Sequence, residues 1–431
     1  MTDGAQKKCI HISRERRMCH IVVIGAGITG VTSAYELAKL GYKVTVIDKH
    51  LYPAMETSFA NGGQLSACNA EVWNQKATVL KGIKWMSNKN APLLLNPSFD
   101  VHKYGWLIEF LGNIKNYEAN TRDTVKMALL ARERLFAVAE QENIQFDLEK
   151  RGILHFYHSK LDYEVATRVN TLLINGGLER IAITPSEIKS IEPSLKGEYY
   201  GGFYCPGDAT GDIHKFTKGL AEASEKYGVK YIFGMEVTDV KHHPNGITVL
   251  YHASNENMHL DAASVESLEA DAVVVCGGVG SCHLANLLGD RVNIYPVKGY
   301  SITLDLNDEG SIKNAPWVSL LDESSKIVTS RLGADRLRVA GTAEFNGYNR
   351  DIRADRIQPL IDWVNKNFNI STENAVPWAG LRPMMPNMMP IVRRGKRERV
   401  FYNTGHGHLG WTLSAATAVM ISQQVASQHP V

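Results

Sequence analysis

No stretch of this chain stays apolar for anything near the roughly 20 residues of a membrane-spanning helix, so no spanning helix is expected. Cysteine is scarce. Cys9, Cys19, Cys68, Cys205, Cys276 and Cys282 are scattered with no CxxC pair, which argues against a disulfide framework and against a zinc knuckle. A reduced, cytoplasmic protein without a bound metal is expected. A surplus of one charge sign is missing too: 47 Lys and Arg stand against 45 Asp and Glu, a formal net charge of +2. Nucleic acid is therefore not expected as a partner. Repeats and low-complexity tracts are absent. What remains is ordinary for a globular chain: 431 residues, 44% hydrophobic and 21% charged, room for about three domains or two larger ones. Residues 1–17 are polar and basic with no apolar core and are read as a disordered tail, not a secretory signal.

The first informative segment follows that tail. Ile21-Val22-Val23-Ile24 is a short β-branched run, as expected of a strand buried on both faces. Gly25-Ala26-Gly27-Ile28-Thr29-Gly30 follows at once, and Ile28, Val31, Ala34, Tyr35 and Ala38 then recur at helical spacing up to Gly41. Lys43 to Ile47 is a second buried strand, ended by Asp48. Each part of this strand–glycine loop–helix–strand–acid unit has a mechanical job. Gly25 makes the tight turn, Gly27 lets a pyrophosphate approach the backbone, and Gly30 lets the helix pack close to the strand. The helix N-terminus offers N–H groups to phosphate, and Asp48 accepts from ribose hydroxyls. Lys49 follows on the same edge. A Gly-rich turn that binds nothing is the bland alternative.

After the acid, Glu56-Thr57-Ser58-Phe59-Ala60-Asn61-Gly62-Gly63-Gln64 has neither strand nor helix periodicity. It reads as a loop lying along an extended cofactor. A long helix is expected from Thr121 to Asn143, a helix from Gly211 to Gly228, and a strand from Lys230 to Phe233. Ala272 to Cys276 is another buried strand, closed by a second Gly-rich end at Gly277. Residues 252–270 read as an exposed polar insertion. Strand alternation is expected at Arg336 to Ala340 and a helix near Arg353 to Asn367. Near the C-terminus a strand, Arg399 to Tyr402, leads into a loop containing Gly405, Gly407 and Gly410, then into a helix of small residues from Leu413 to Val425. A glycine loop feeding a helix N-terminus is a natural anion site.

Glu56 to Asn61, Tyr295-Pro296-Val297-Lys298-Gly299-Tyr300-Ser301, Gly380-Leu381-Arg382-Pro383 and Asn403 to Trp411 together resemble the FAD-dependent amine and amino-acid oxidoreductases of the D-amino acid oxidase type. Within them the chain looks most like the D-amino acid dehydrogenases, small-subunit type. The resemblance implies an α/β fold: a Rossmann-type FAD-binding domain (18–75, 186–297 and 376–431) with a discontinuous α+β substrate domain (76–185 and 298–375). It implies non-covalent FAD, held by Gly25, Gly27, Gly30, Asp48, Lys49, Thr57, Ser58, Asn61, Gly62, Gly63, Gly277, Gly405, Gly407 and Gly410. Arg382 matches the arginine that grips the substrate carboxylate, and Gln64 and His408 fall beside the flavin and substrate. The implied chemistry is dehydrogenation at Cα of an amino acid, hydride going to the flavin and the imine hydrolysing to a 2-oxo acid and ammonia. Electrons go on to a quinone or other respiratory-chain acceptor. Where the family has Met-Thr-Pro-Asp-Gly after Gly-Leu-Arg-Pro, this chain has Met384-Met385-Pro386-Asn387-Met388-Met389, thioether bulk expected to bear on substrate range.

Alternatives stay open at this point. Arg382 can instead sit in a structural ion pair. The activity can be that of an oxidase of the same fold acting on glycine or another small amine with O2, or the chain can be a nucleotide-binding sensor without catalysis. His406 and His408 read as loop histidines rather than metal ligands, for want of a third ligand nearby. Residues 81–111 mix Lys81, Lys84, Lys89 and Lys103 with Trp85, Leu93 to Leu95, Trp106 to Ile108 and Phe110. They are read either as a peripheral dock on the inner face of the cell membrane or as the core and rim of a lobe.

Overall fold

The computed structural model describes residues 18–85, 91–254 and 264–430. Strand β1 (His20–Ile24) is buried throughout. Helix α1 (Ile28–Lys39) follows the glycine loop and buries Ile28 and Gly30 through Ala38. Gly41, at φ +94°, turns the chain into strand β2 (Lys43–Asp48). These strands sit inside a six-stranded sheet ordered Ile391–Arg394, Val400–Thr404, Ala272–Val275, β1, β2, Lys230–Phe233. All pairings are parallel except that of the edge strand Ile391–Arg394. Three neighbouring strands therefore end at one edge, and glycine follows each within two residues: Gly25, Gly277 and Gly405. That edge, at the carboxyl ends of parallel strands, is where such sheets bind ligands.

One face of this sheet is covered by α1, the helix Ile213–Glu225 and the C-terminal helix Gly410–Gln428, which share a core through Val31, Phe216, Leu220, Trp411 and Ile421. The other face packs on a three-stranded antiparallel sheet, Met235–His243, Gly246–Ala253 and Glu266–Ala270. The second layer is a mixed nine-stranded sheet. It runs Val376–Met384, Tyr295–Asp305, Arg336–Phe345, Ile327–Leu332, Ser319–Asp322, Ile153–Tyr157, Gly201–Cys205, Ile181–Ile183, with Leu93–Leu95 paired onto Arg336–Phe345. The helix Ala354–Asn367 closes its far side with Ile357, Leu360, Trp363 and Val364.

The layers divide the chain differently from the expectation. Gly201–Cys205 and Val376–Met384, expected beside the cofactor sheet, pair into the nine-stranded one. The long helix, which spans Tyr117–Gln141, was expected in the substrate lobe but buries Ala131, Leu135 and Val138 in the core under α1. An apolar run says that a segment is buried, not which sheet or core it joins. Within 252–270, Glu266–Ala270 is a sheet strand rather than insertion, and 255–263 lie outside the described residues, as does the tail 1–17. Leu337 to Phe345 are buried without the expected alternation, because the strand is covered on both faces.

Candidate active site

The glycine loop is held by its own acid. Ala26 N–H donates to Asp48 Oδ2 at 2.6 Å and His50 N–H to Oδ1 at 2.8 Å. Burial holds this carboxyl above its ordinary value. Asp48 thus clamps the turn as well as offering its remaining lone pairs to the cavity. Gly25 adopts φ +106°, where a Cβ would lie 2.7 Å from the Cys276 carbonyl oxygen. The N-terminus of α1 carries no side-chain cap beyond Ser58 Oγ, which accepts from Ile28 N–H at 3.1 Å. Uncapped N–H groups facing a cavity fit a pyrophosphate.

The loop after β2 is sewn to the nine-stranded sheet. Thr57 Oγ1 donates to the Leu381 carbonyl at 2.8 Å, and Ser301 Oγ to the Ala60 carbonyl at 3.0 Å. Ser330 Oγ donates to the Gly62 carbonyl at 2.6 Å, and Arg338 to the Asn61 carbonyl at 3.2 Å. Asn61 Oδ1 caps Gly63 N–H at 2.8 Å. Lys49 pairs with Glu56 at 3.2 Å, and Glu56 also meets His50 at 3.0 Å and Arg350 at 2.6 Å. Burial alone would raise the Glu56 carboxyl, but bonds from His50 and Arg350 hold it well below the usual range.

Every residue expected at the cofactor or substrate lines one cavity, Gly30 excepted, which sits behind the loop against Gly25. The cavity passes the ends of all three glycine-terminated strands and reaches the nine-stranded sheet. At its floor the chain turns through Gly405 and Gly407 into the helix Gly410–Gln428, whose N-terminus has no side-chain cap and no acid in its first turn. That end offers positive dipole potential to a cofactor ring.

Arg382 projects from Val376–Met384. Its guanidinium lies over Gly299 on the neighbouring strand, where a Cβ would come within 2.3 Å of Cζ. Its hydrogen bond to the Thr342 carbonyl is long at 3.4 Å, and no carboxylate pairs with it among the described residues. Burial lowers it to about 10, still charged at neutral pH. The ion-pair alternative for Arg382 has no partner here. Next to it, His408 stacks on Trp73 with ring centroids 4.8 Å apart, and Nε2 lies 3.4 Å from the Asn69 carbonyl. Burial, then the Arg382 charge, push His408 down to about 4. Gln64 lines the cavity but spends both amide protons on Ser319 Oγ, at 2.7 Å, and the Leu320 carbonyl, at 3.2 Å, so it acts as a strut.

Some placements correct the expectation. Met384 and Met388 are buried behind the site with Trp106 and Phe345, and Met385 packs toward Gly405, so none of the three lines the cavity. The thioether bulk therefore shapes the glycine loop from outside. Cys68, Cys205 and Asp208, remote in sequence, bring their ligand atoms within 4.8 Å of one another, a grouping that spacing did not reveal. Asp208 is already engaged by Ala67 N–H, Cys68 N–H and Arg132 at 2.8–3.1 Å. Glu71, His155, Tyr157, Arg180, Glu323 and Lys326 also line the cavity. They carry no local motif, and only strand pairing brings them together.

The two loop histidines give a measurable pH dependence. His406 lies 3.0 Å from Thr417 Oγ1, and burial pushes it from 6.5 down to about 3. Between that value and 6.5 the unfolded chain binds protons that the folded chain does not, so stability rises with pH across the window. This contribution is whole above 6.5 and is lost on acidification, by about 1.4 kcal/mol per pH unit for each histidine. The thermal midpoint is expected to drop between pH 6.5 and 4.5, and to drop less in His406→Gln. An equal slope in the variant would refute this origin.

Known proteins agree with this geometry. The DAO family, described as FAD dependent oxidoreductase, matches residues 20–424. A D-amino acid dehydrogenase 3 of Mesorhizobium japonicum is 55% identical over 415 residues, 96% of this chain and 98% of that protein. A D-amino acid dehydrogenase of Paramagnetospirillum magneticum is 38% identical, covering 95% of each. Among solved structures, glycine oxidase from Geobacillus kaustophilus superposes with a TM-score of 0.72 at 18% identity over 96% of both chains. L-proline dehydrogenase from P. horikoshii gives 0.71 at 19% identity, covering 95% of this chain and 94% of that one. These two likenesses show the fold. With a glycine-lined cofactor cavity and family identity over nearly its whole length, the chain belongs to the DAO family of FAD dependent oxidoreductases.

Proposed function

We propose that this protein oxidatively deaminates D-amino acids to 2-oxo acids and ammonia, and passes the electrons to a quinone or another respiratory-chain acceptor. The observation that carries this reading is Arg382, a half-buried guanidinium facing the cofactor cavity with no carboxylate among the described residues to pair with. An α-amino acid brings that carboxylate, and two parallel charge-assisted bonds fix its orientation. The D preference follows the named relatives.

Bound FAD supplies the two-electron acceptor. The chain supplies position and dryness. Arg382, pinned over Gly299, sets the direction of the substrate's Cα–H, a proximity effect. The amine must be neutral for its lone pair to support the imine, and His408, neutral through burial, adds no second cation against it. Trp73, stacked on His408, walls the site. The test is anaerobic: D- and L-amino acids are added and the visible flavin band is followed. Bleaching by D- and not L-amino acids is expected. Stoichiometric hydrogen peroxide in air would favour the oxidase alternative, and no bleaching by any amine would favour a sensor.

The flavin is held non-covalently in this reading. Cys276, beside the glycine loops, is buried, and burial pushes its thiol up to about 12, so it is no nucleophile. Acid precipitation is expected to release the yellow colour to the supernatant; colour kept in a washed pellet would contradict it.

A bilayer-dissolved quinone requires contact with a membrane, and among the described residues no helix is long and apolar enough to cross one. The residues first considered for docking divide. Trp106 is buried, and Lys103 is buried with Nζ donating to the Asn96 and Ser98 carbonyls at 2.7 and 2.6 Å, so neither reaches a headgroup. Leu93–Leu95 pairs into the large sheet. The lysine at 89 lies outside the described residues. The surface left is the outer stripe of the helix Val101–Gly112 and its approach. Phe99 is 83% exposed, Val101 74% and Ile108 70%. An apolar stripe of this kind enters an interface peripherally. Anionic liposomes are expected to sediment the wild type at low salt, and Phe99→Ser/Ile108→Ser to abolish it. Equal pelleting of the variant removes this face from the proposal.

A further inference from the structure

Beyond Arg382, His408 and Trp73 the cavity lining is not only aliphatic, although Val165, Ala166, Val169 and Leu173 are part of it. Its wall continues through Glu71, His155, Tyr157, Arg180, Glu323 and Lys326. The continuity is direct. Asn69, whose carbonyl meets His408 Nε2 and whose amide donates to Gln64 Oε1 at 2.8 Å, stands two residues before Glu71.

The hydrogen bonds of this wall are half made. Glu71 Oε1 accepts from Tyr117 Oη at 2.6 Å and from Gln75 Nε2 at 2.5 Å, while Oε2 takes no bond among the described residues. Arg180 lies 4.4 Å over the Phe203 ring and gives one bond from Nη1 to Asn170 at 3.1 Å and one from Nη2 to Tyr157 Oη at 3.4 Å, which leaves a second N–H on each nitrogen. Glu323 is taken up by His155 Nδ1 at 3.1 Å and by Lys326. Burial is the main cause that holds His155 below its ordinary value, against the raising effect of Glu323.

The charges of this wall oppose a full charge of either sign. Lys326 is bonded to Glu323 and is also the principal cation acting on Glu71. A cationic side chain placed here meets Lys326 and Arg180, and an anionic one meets Glu71 and Glu323, with Asp162 farther along the lining. An aliphatic side chain would cover the open oxygen of Glu71 and the unused Nη N–H groups of Arg180 with nothing to bond them, which is costly in a buried site. A neutral group that both donates and accepts fits both.

We propose that the site selects D-amino acids with an uncharged hydrogen-bonding side chain, a hydroxyl or a carboxamide, with Glu71 and Arg180 as the specificity-determining contacts. This rests on the deamination reading and names the substrate class of that same site.

The test uses the FAD-loaded enzyme and isosteric pairs, D-asparagine against D-leucine and D-threonine against D-valine. Flavin bleaching is followed anaerobically, with D-alanine as reference and D-lysine and D-glutamate as charged probes. The polar member of each pair is expected to lead by about tenfold to a hundredfold in kcat/KM, and both charged probes to trail D-asparagine. In Glu71→Met the asparagine-to-leucine ratio is expected to fall toward one, while Glu71→Gln, which keeps the hydrogen bonds, restores much of it. Arg180→Met gives a second route to the same ratio. If D-alanine bleaches the flavin but D-leucine matches D-asparagine, or D-lysine or D-glutamate leads, the inference is overturned and the deamination reading stands. A ratio unmoved by both methionine variants also overturns it. If no D-amino acid bleaches the flavin, the deamination reading falls and the inference with it.

Discussion

Arg382→Leu is expected to leave FAD content unchanged and to cut kcat/KM for D-amino acids by about two to three powers of ten. Removing one member of a desolvated charge pair costs roughly 2–5 kcal/mol, about 30-fold to 4,000-fold in rate. FAD should survive because the guanidinium carries no structural load: its single bond to the Thr342 carbonyl is long, and no carboxylate depends on it among the described residues. The strand beneath is held by its own ladder, Val297 opposite Arg382 and Gly299 opposite Gly380. Arg382→Lys should recover only part of the loss, since one ammonium cannot offer two parallel bonds. Amines without a carboxylate, poor substrates from the start, should lose little. The measurement is kcat/KM for amino acid and amine together with bound FAD per chain. Equal damage to both substrates, or loss of FAD, would show that Arg382 positions the fold or the cofactor instead.

Legibility in the sequence followed the range of the interaction. The glycine loop, α1 and Asp48 lie close together in the chain, and each announces itself by spacing, so the strand–loop–helix–strand unit was legible. Even there the sequence concealed that Asp48 clamps the loop through Ala26 and His50. Lys103 looked like a solvated base and is instead bound by two carbonyls of the chain just before it; composition cannot show that a lysine folds back. Gly201–Cys205 and Val376–Met384 fall within the bounds expected for the cofactor domain, and the pairing that assigns them to the large sheet spans long chain separations. Glu71, Arg180 and Glu323 lay beyond sequence reasoning altogether, because nothing local distinguishes them from surface charges. The same pairing set the cavity's far wall, so the reaction was legible where the side-chain pocket was not.

Gly30→Ala is expected to yield a protein that purifies nearly without FAD. A Cβ on Gly30 would lie 1.8 Å from the Gly25 carbonyl oxygen and 2.9 Å from its carbon, both backbone atoms. Neither side can yield cheaply. Gly25 N–H is bonded to the Ile47 carbonyl at 2.9 Å, and Gly25, at φ +106°, is pressed against Cys276. On the helix side, Val31 N–H is bonded to the Gly27 carbonyl at 3.0 Å, and Val31 and Ala34 are buried in the core shared with Trp411. Either α1 lifts from β1 or the turn opens, and both move the N–H groups that face the cavity. Overpacking of this kind costs roughly 1–3 kcal/mol, enough to weaken FAD binding about tenfold to a hundredfold. Gly27→Ala is the control. The nearest atom to its Cβ is Ser58 Oγ at 3.6 Å, an ordinary contact. Its apoprotein should melt with the wild-type apoprotein, while its FAD affinity falls because the methyl occupies the approach of the pyrophosphate. Titration of FAD into stripped protein, with thermal midpoints of the three apoproteins, separates the cases. Stoichiometric FAD in Gly30→Ala at wild-type stability would mean that this contact does not set the loop.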